Sequence, residues 1–258
     1  MSPFSSLLML LLLGLAQAQQ DTDEEFSGNE EETVDLTTAI LTTNNGTSES
    51  LLEGDMLLPK TRNALKCFSN SCLWKKSFNG LVTIPYVISP QFSGMERQKI
   101  ENAVKSFHGR SCVRFVPRRN EYDFVSVENG GGCFSALGRQ GGRQVLSLNR
   151  DGCIYHGIIQ HEFLHALGFQ HEQTRSDRDS YVRIVWENID RAMAFNFHKQ
   201  DTNNLNTPYD YSSIMHYGRT AFSVNGRDTI VPLSHANIGQ RRGLSRVDIS
   251  RINLLYGC

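Results

Sequence analysis

Residues 161–172 read HEFLHALGFQHE, and the spacing of three histidines and one glutamate in this stretch decides how the chain has to fold. On a helix, His161 and His165 share one face, so both rings can reach one ion while Glu162 flanks it. A continuous helix would carry His171, ten residues beyond His161, about 15 Å along the axis. A zinc–nitrogen bond is only about 2.0–2.1 Å long. The helix therefore has to stop, and Gly168 stands where a left-handed residue ends a helix without a side-chain penalty. Three neutral imidazoles leave one position for water, whose pKa zinc lowers from about 15.7 to about 7.

At 258 residues and 39% hydrophobic content, the chain can hold one large domain or two small ones, each with a core. An apolar run from Leu7 to Leu15, followed by Ala16-Gln17-Ala18, is shorter than the roughly 20 residues of a membrane span and reads as a secretory leader, residues 1–18. No Lys or Arg precedes it, so the terminal amine supplies the positive charge. No later segment is long and apolar enough to span a bilayer, and the expected product is extracellular and soluble. Export also suits six cysteines, Cys67, Cys72, Cys112, Cys133, Cys153 and Cys258, which allow fifteen disulfide pairings.

Residues 19–62 carry eleven acidic and two basic side chains, a net charge of minus nine, whereas residues 63–258 carry plus eight. The acidic stretch cannot bury enough apolar surface to fold alone and is expected to be an activation propeptide. The charge asymmetry suits a segment that holds to its own basic partner, or a released product drawn to acidic surfaces. The positive residues form no long cluster, and nucleic acid is not an expected partner. Asn45-Gly46-Thr47 is the glycosylation acceptor sequence.

Leu81 to Ile88 reads as a strand, with Pro85 arguing for an edge or an irregularity. Ser93 and Glu96 form a capping-box signature before the apolar face of Ile100, Val104 and Phe107, a helix that Gly109 ends. Val113–Val116, Phe124–Val127 and Val145–Leu148 read as strands, with Gly130–Gly132 and Gly141–Gly142 as turns between them. The zinc helix runs from near Tyr155 to Gly168. A last helix is capped by Ser245 and Asp248, turns Ile249, Ile252 and Leu255 inward and stops at Gly257.

HEFLHALGFQHE, with SIMHY at Ser213–Tyr217, resembles the astacin family of zinc endopeptidases within the metzincins, from about Asn63 to Cys258. NALKC, SLNRDGC and TPYDYSSIMHYGR are similar to fish hatching enzymes of the low choriolytic type. The resemblance implies an α+β fold of two subdomains, with a twisted mixed sheet, an active-site helix and a cleft, and one Zn2+ per catalytic domain. It implies that His161, His165 and His171 bind zinc, that Glu162 is the general base, that Tyr217 is an extra ligand that swings to stabilise the oxyanion, and that Met215 forms the floor. His108, His156, His198, His216 and His235 lack ligand spacing.

By the same resemblance, Leu52-Glu53-Gly54-Asp55 is a zymogen switch in which Asp55 takes the place of water. A trypsin-like protease is expected to cut after Arg62, and the ammonium of Asn63 then pairs with Glu172. The disulfides implied are Cys112–Cys258, Cys133–Cys153 and Cys67–Cys72. The resulting expectation is a monomeric, secreted endopeptidase of egg-envelope proteins. A single-domain digestive or immune protease is the alternative, and a catalytically silent binding module is disfavoured by the intact Glu162.

Overall fold

The computed structural model describes residues 35–58, 71–240 and 242–258. The leader at residues 1–18, the Arg62/Asn63 junction, Cys67 and Arg241 lie outside the described residues. The elements in chain order are α1 (Leu36–Asn44), β1 (Leu51–Leu52), β2 (Met56–Leu57), β3 (Val82–Ile88), α2 (Gly94–Lys105), β4 (Val113–Pro117), β5 (Phe124–Glu128), β6 (Cys133–Ala136), β7 (Arg143–Leu148), α3 (His156–Ala166), β8 (Val182–Ile184), β9 (Ile230–Pro232) and α4 (Arg246–Tyr256).

Seven strands form one mixed sheet in the order β1-β2-β6-β7-β5-β3-β4. The β4, β3, β5 and β7 pairs are parallel, and β6 returns antiparallel to β7. β3 is thus an interior strand, so of the edge or irregularity that Pro85 argues for, the edge does not hold. The proline is tolerated because Pro85 is opposite Val116 of β4, whereas pairing with β5 begins only at Tyr86. The second half of the acidic stretch, too poor in apolar surface to fold alone, is built into the domain. Leu36, Ile40 and Met56 are buried, and β2 runs parallel to β6.

Both capping boxes are present: Ser93 Oγ accepts from Glu96 N, and Ser245 Oγ from Asp248 N. α2 ends at Lys105 rather than Gly109, and Phe107 still reaches the core from the turn that follows, where its N–H bonds Val104 O. Gly257 closes α4 in the left-handed conformation, at φ 62°. α3 is buried from Gly157 to Ala166. Its Phe163 ring packs edge-on against Phe115, at 4.8 Å between centroids, and against Tyr86 of β3.

Beyond α3 the chain turns through short 3-10 segments and a two-stranded sheet of β8 and β9. Val182, Ile184, Phe197, Tyr217 and Ile230 form a second apolar cluster there. Two disulfides join pairs of described residues. Cys112–Cys258 ties the C-terminus to the start of β4, and Cys133–Cys153 ties β6 to the loop before α3. Closing these loops restrains the unfolded chain by about 5 and about 3 kcal/mol, respectively, on the loop-entropy model.

Phe163 is fully buried where helix meets sheet. Phe163→Ala is expected to lower stability by about 3–5 kcal/mol in denaturant unfolding with the disulfides intact; a loss below about 1 kcal/mol would show that the α3–sheet interface is not packed as described.

Candidate metal centre

The helix that carries His161 and His165 ends because Gly168 adopts φ +102°, and Gly168 N and Phe169 N close back onto His165 O and Leu164 O. The chain then extends to His171, with φ −69° and ψ 147°, and the third imidazole returns to the other two. His161 Nε2 lies 3.1 Å from His165 Nε2 and 3.2 Å from His171 Nε2. Asp55 completes the group, with Oδ2 3.0 Å from His161 Nε2 and 3.3 Å from His171 Nε2, and Oδ1 3.3 Å from His165 Nε2.

These separations fit zinc. Four donors at about 2.0–2.1 Å from a common centre stand about 3.3–3.4 Å apart at the corners of a tetrahedron. Charge points the same way. Glu53, Asp55 and Glu162 are all at most 2% exposed, and among the described residues no Lys or Arg pairs with them. Both Glu162 oxygens lack a hydrogen-bond partner among the described residues. Buried anions gathered in this way call for a cation. Burial works against a charged His171, but Asp55 and Glu53 outweigh it and push its pKa up to about 9. The field that favours a proton there also favours a metal ion.

Each imidazole is oriented through its other nitrogen. His161 Nδ1 contacts Ile214 O at 2.9 Å, His165 Nδ1 contacts Phe169 O at 2.8 Å, and His171 Nδ1 contacts Glu53 Oε2 at 2.7 Å. Because all three acceptors are oxygens, the proton sits on Nδ1 and the Nε2 lone pair faces the centre. Ile214 is itself held from α4, whose Asp248 accepts from Ser213 Oγ at 2.6 Å and from Ile214 N at 3.1 Å.

Glu53 and Asp55 reach the centre from the hairpin loop between β1 and β2. Glu53 and Gly54 are both left-handed, at φ 53° and 82°, and a Cβ on Gly54 would stand 2.5 Å from Leu41 Cδ2. Asn44 fastens the loop by donating to Gly54 O and Cys133 O and accepting from Cys133 N. Burial opposes the Asp55 charge, but His171 and His165 hold its carboxyl well below the usual range. Glu162 is driven the other way, by burial and then by the Asp55 charge.

The family model described as Astacin, a peptidase family, matches residues 71–257. The chain belongs to the astacin family. It is a zinc metalloendopeptidase with a mixed-sheet α+β metzincin fold and, among the described residues, a single His3Asp cluster suited to one catalytic zinc. High choriolytic enzyme 1 of Oryzias latipes is 61% identical over all of this chain and 99% of its own length. Low choriolytic enzyme of the same fish is 51% identical over 98% of each. A solved structure of high choriolytic enzyme 1, described as a hatching enzyme zinc-protease, superposes with a TM-score of 0.73 at 67% identity, covering 76% of this chain and all of that one. Myroilysin, at 19% identity and a TM-score of 0.52 over 68% of this chain and 93% of its own, shares the fold.

In this astacin the Tyr217 ring lies 4.6 Å from that of His171, its N–H donates to Gln173 Oε1, and its hydroxyl donates to Glu53 O. Burial and then the Asp55 charge raise its pKa well above the phenol value, so the hydroxyl stays a donor. Met215 is buried in the main core, and its carbonyl accepts from Glu172 N. Glu172 has two charged partners among the described residues, Arg251 of α4, which forks onto both of its oxygens, and Arg175, whose Nη1 reaches Oε1 at 3.2 Å, and the backbone N–H of Asp210 donates to Oε1 at 2.7 Å. Burial raises the Glu172 pKa, with Arg251 opposing it. Arg219 pairs with Asp228 and Ala236 O. His216 is enclosed between Tyr209 Oη and Tyr217 O, and His108 accepts from Phe115 N.

The sequence reading missed Glu53, Asp248 and Arg251 as parts of this site. Glu53 had one signal, its place two residues before Asp55, where a hairpin loop brings both side chains in. The arginines beside Glu172 yield a test. Glu172→Gln leaves two guanidiniums buried against a neutral amide, which costs about 3–5 kcal/mol in denaturant unfolding; unchanged stability would mean that the pair is solvated.

Proposed function

We propose that this chain is the secreted zymogen of an endopeptidase that digests egg-envelope proteins. Its parts are a leader at residues 1–18, an activation segment at 19–62 and a catalytic domain at 63–258. The observation that carries the reading is Asp55, whose carboxylate stands against all three imidazoles, Oδ2 within 3.3 Å of the Nε2 atoms of His161 and His171 and Oδ1 3.3 Å from that of His165, where a hydrolytic site needs water. The names of the relatives support the substrate: two choriolytic enzymes match along nearly their whole length. The solved hatching protease covers 76% of this chain, a share equal to that of residues 63–258. The apolar run before Ala16-Gln17-Ala18 supports export, and among the described residues no helix is long and apolar enough to cross a membrane. We take the active form to be a monomer.

In this reading His161, His165 and His171 hold the zinc, and Met215 lies in the packing beneath them. Zinc, when bound, lowers the pKa of coordinated water to about 7 and polarises a peptide carbonyl. The residues of the chain do the rest. Glu162, whose oxygens are free of protein hydrogen bonds among the described residues, takes a proton from the attacking water and returns it to the leaving amine. Tyr217, released from Glu53 O, donates its hydroxyl to the oxyanion. A trypsin-like cut between Arg62 and Asn63 lets the segment leave. Arg251 and Arg175 already neutralise Glu172, so the new terminus at Asn63 would join that ion network rather than create it. Glycosylation of Asn45, which is exposed at the end of α1, would fall on the discarded segment.

Glu162→Gln in the processed enzyme is expected to keep its zinc and lose several orders of magnitude in peptide cleavage; undiminished turnover would reject the base assignment. Asp55→Ala is expected to make the uncut chain cleave casein, and a latent Asp55→Ala chain would reject the switch. Processed enzyme should also dissolve isolated egg envelope in a chelator-sensitive way. Casein cleavage without envelope cleavage would favour the digestive or immune alternative.

A further inference from the structure

The three imidazoles are not supported alike. His161 and His165 are oriented by carbonyls of Ile214 and Phe169, which belong to the catalytic part of the chain. His171 is oriented by a carboxylate from the segment to be removed: Glu53 Oε2 accepts from Nδ1 at 2.7 Å and approaches His171 N and Thr174 Oγ1 at 3.4 Å each. Glu53 is fully buried, and its other oxygen has no hydrogen-bond partner among the described residues. Its left-handed backbone is strained for a residue with a side chain, and its carbonyl is committed to Tyr217. The loop therefore delivers two carboxylates to one cluster: Asp55 touches the Nε2 side and Glu53 the Nδ1 side of His171.

We infer that Glu53 is a positioning residue for zinc, and that the activation segment binds the metal into the site as well as blocking it. A carboxylate on the far nitrogen fixes the tautomer and the ring plane and makes Nε2 a stronger donor. Loss of such a partner typically costs about 10–100-fold in metal affinity. The uncut chain then holds zinc through four protein donors, one of them reinforced by Glu53. Removal of the segment takes away Asp55 and the Glu53 support together. The metal is held most tightly before activation and less tightly by the working enzyme. The inference rests on the zymogen reading above, but its measurements are of metal and not of turnover.

The test is competition for zinc between the uncut chain and a fluorescent zinc chelator, for wild type, Glu53→Ala and Glu53→Gln. Cobalt spectra of the same proteins report the donor set. Glu53→Ala is expected to weaken zinc binding roughly 10–100-fold while its cobalt spectrum keeps the uncut wild-type form, because Asp55 stays in place. Glu53→Gln, which retains an acceptor but no charge, should recover part of the loss. After cleavage between Arg62 and Asn63 all three become the same polypeptide, and their zinc affinities should coincide below that of the uncut wild type. Equal affinity of uncut wild type and Glu53→Ala would overturn the inference. So would a Glu53→Ala spectrum already of the processed type, since Glu53 would then only dock the segment. An uncut wild-type chain that binds no zinc, or is already active, would instead sink the zymogen reading.

Discussion

Every functional feature of this chain depends on how its three imidazoles are tied down at Nδ1. An imidazole can offer either nitrogen, and only a fixed acceptor on one side commits the other to a metal. The three acceptors come from three distant places, and the fold is what brings them together. Ile214 is held through its N–H by Asp248 of α4, Phe169 O is delivered by the turn at Gly168, and Glu53 arrives on a hairpin that extends the sheet beyond β6. The Cys112–Cys258 disulfide anchors the end of α4 to β4, so the support of His161 is fastened to the far edge of the sheet.

The same arrangement explains how the acidic segment is embedded in the domain. α1 contributes Leu36 and Ile40 to the main core, Asn44 satisfies the backbone of Cys133, and β2 prolongs the sheet. These contacts hold the loop of Glu53 and Asp55 against a centre that has few cationic partners of its own. The carboxylates need a positive charge and the imidazoles need an electron-pair acceptor; one divalent ion serves both. Around Glu172 the electrostatics are closed differently, by Arg251 and Arg175.

Much of this was legible in the sequence where the determinants are local. Gly168, the two capping boxes and the four-residue spacing of His161 and His165 act within one or two turns of helix, and they marked the start of α2 and the limits of α3 and α4 closely. The short strands were harder. β6 is four residues, CFSA, next to a glycine run, and it is a strand only because β7 and β2 pair with it. α1 sits in a stretch whose composition is that of a solvated tail, and its order comes from partners far along the chain. For the same reason the roles of Glu53 and Arg251 were not legible: apart from the place of Glu53 two residues before Asp55, nothing near them in sequence marks their buried counterparts, His171 and Glu172. Tyr217 and Met215 were found through family resemblance, since one Tyr and one Met have no local signature of chemistry.

The most direct measurement is zinc K-edge X-ray absorption on the uncut chain as purified, with metal content determined on the same sample. One zinc per chain, surrounded by four nitrogen and oxygen neighbours at about 2.0–2.1 Å with imidazole scattering from three of them, is the expected result. A chain without zinc, or a zinc with sulfur neighbours at about 2.3 Å, would contradict the arrangement of His161, His165, His171 and Asp55 described above.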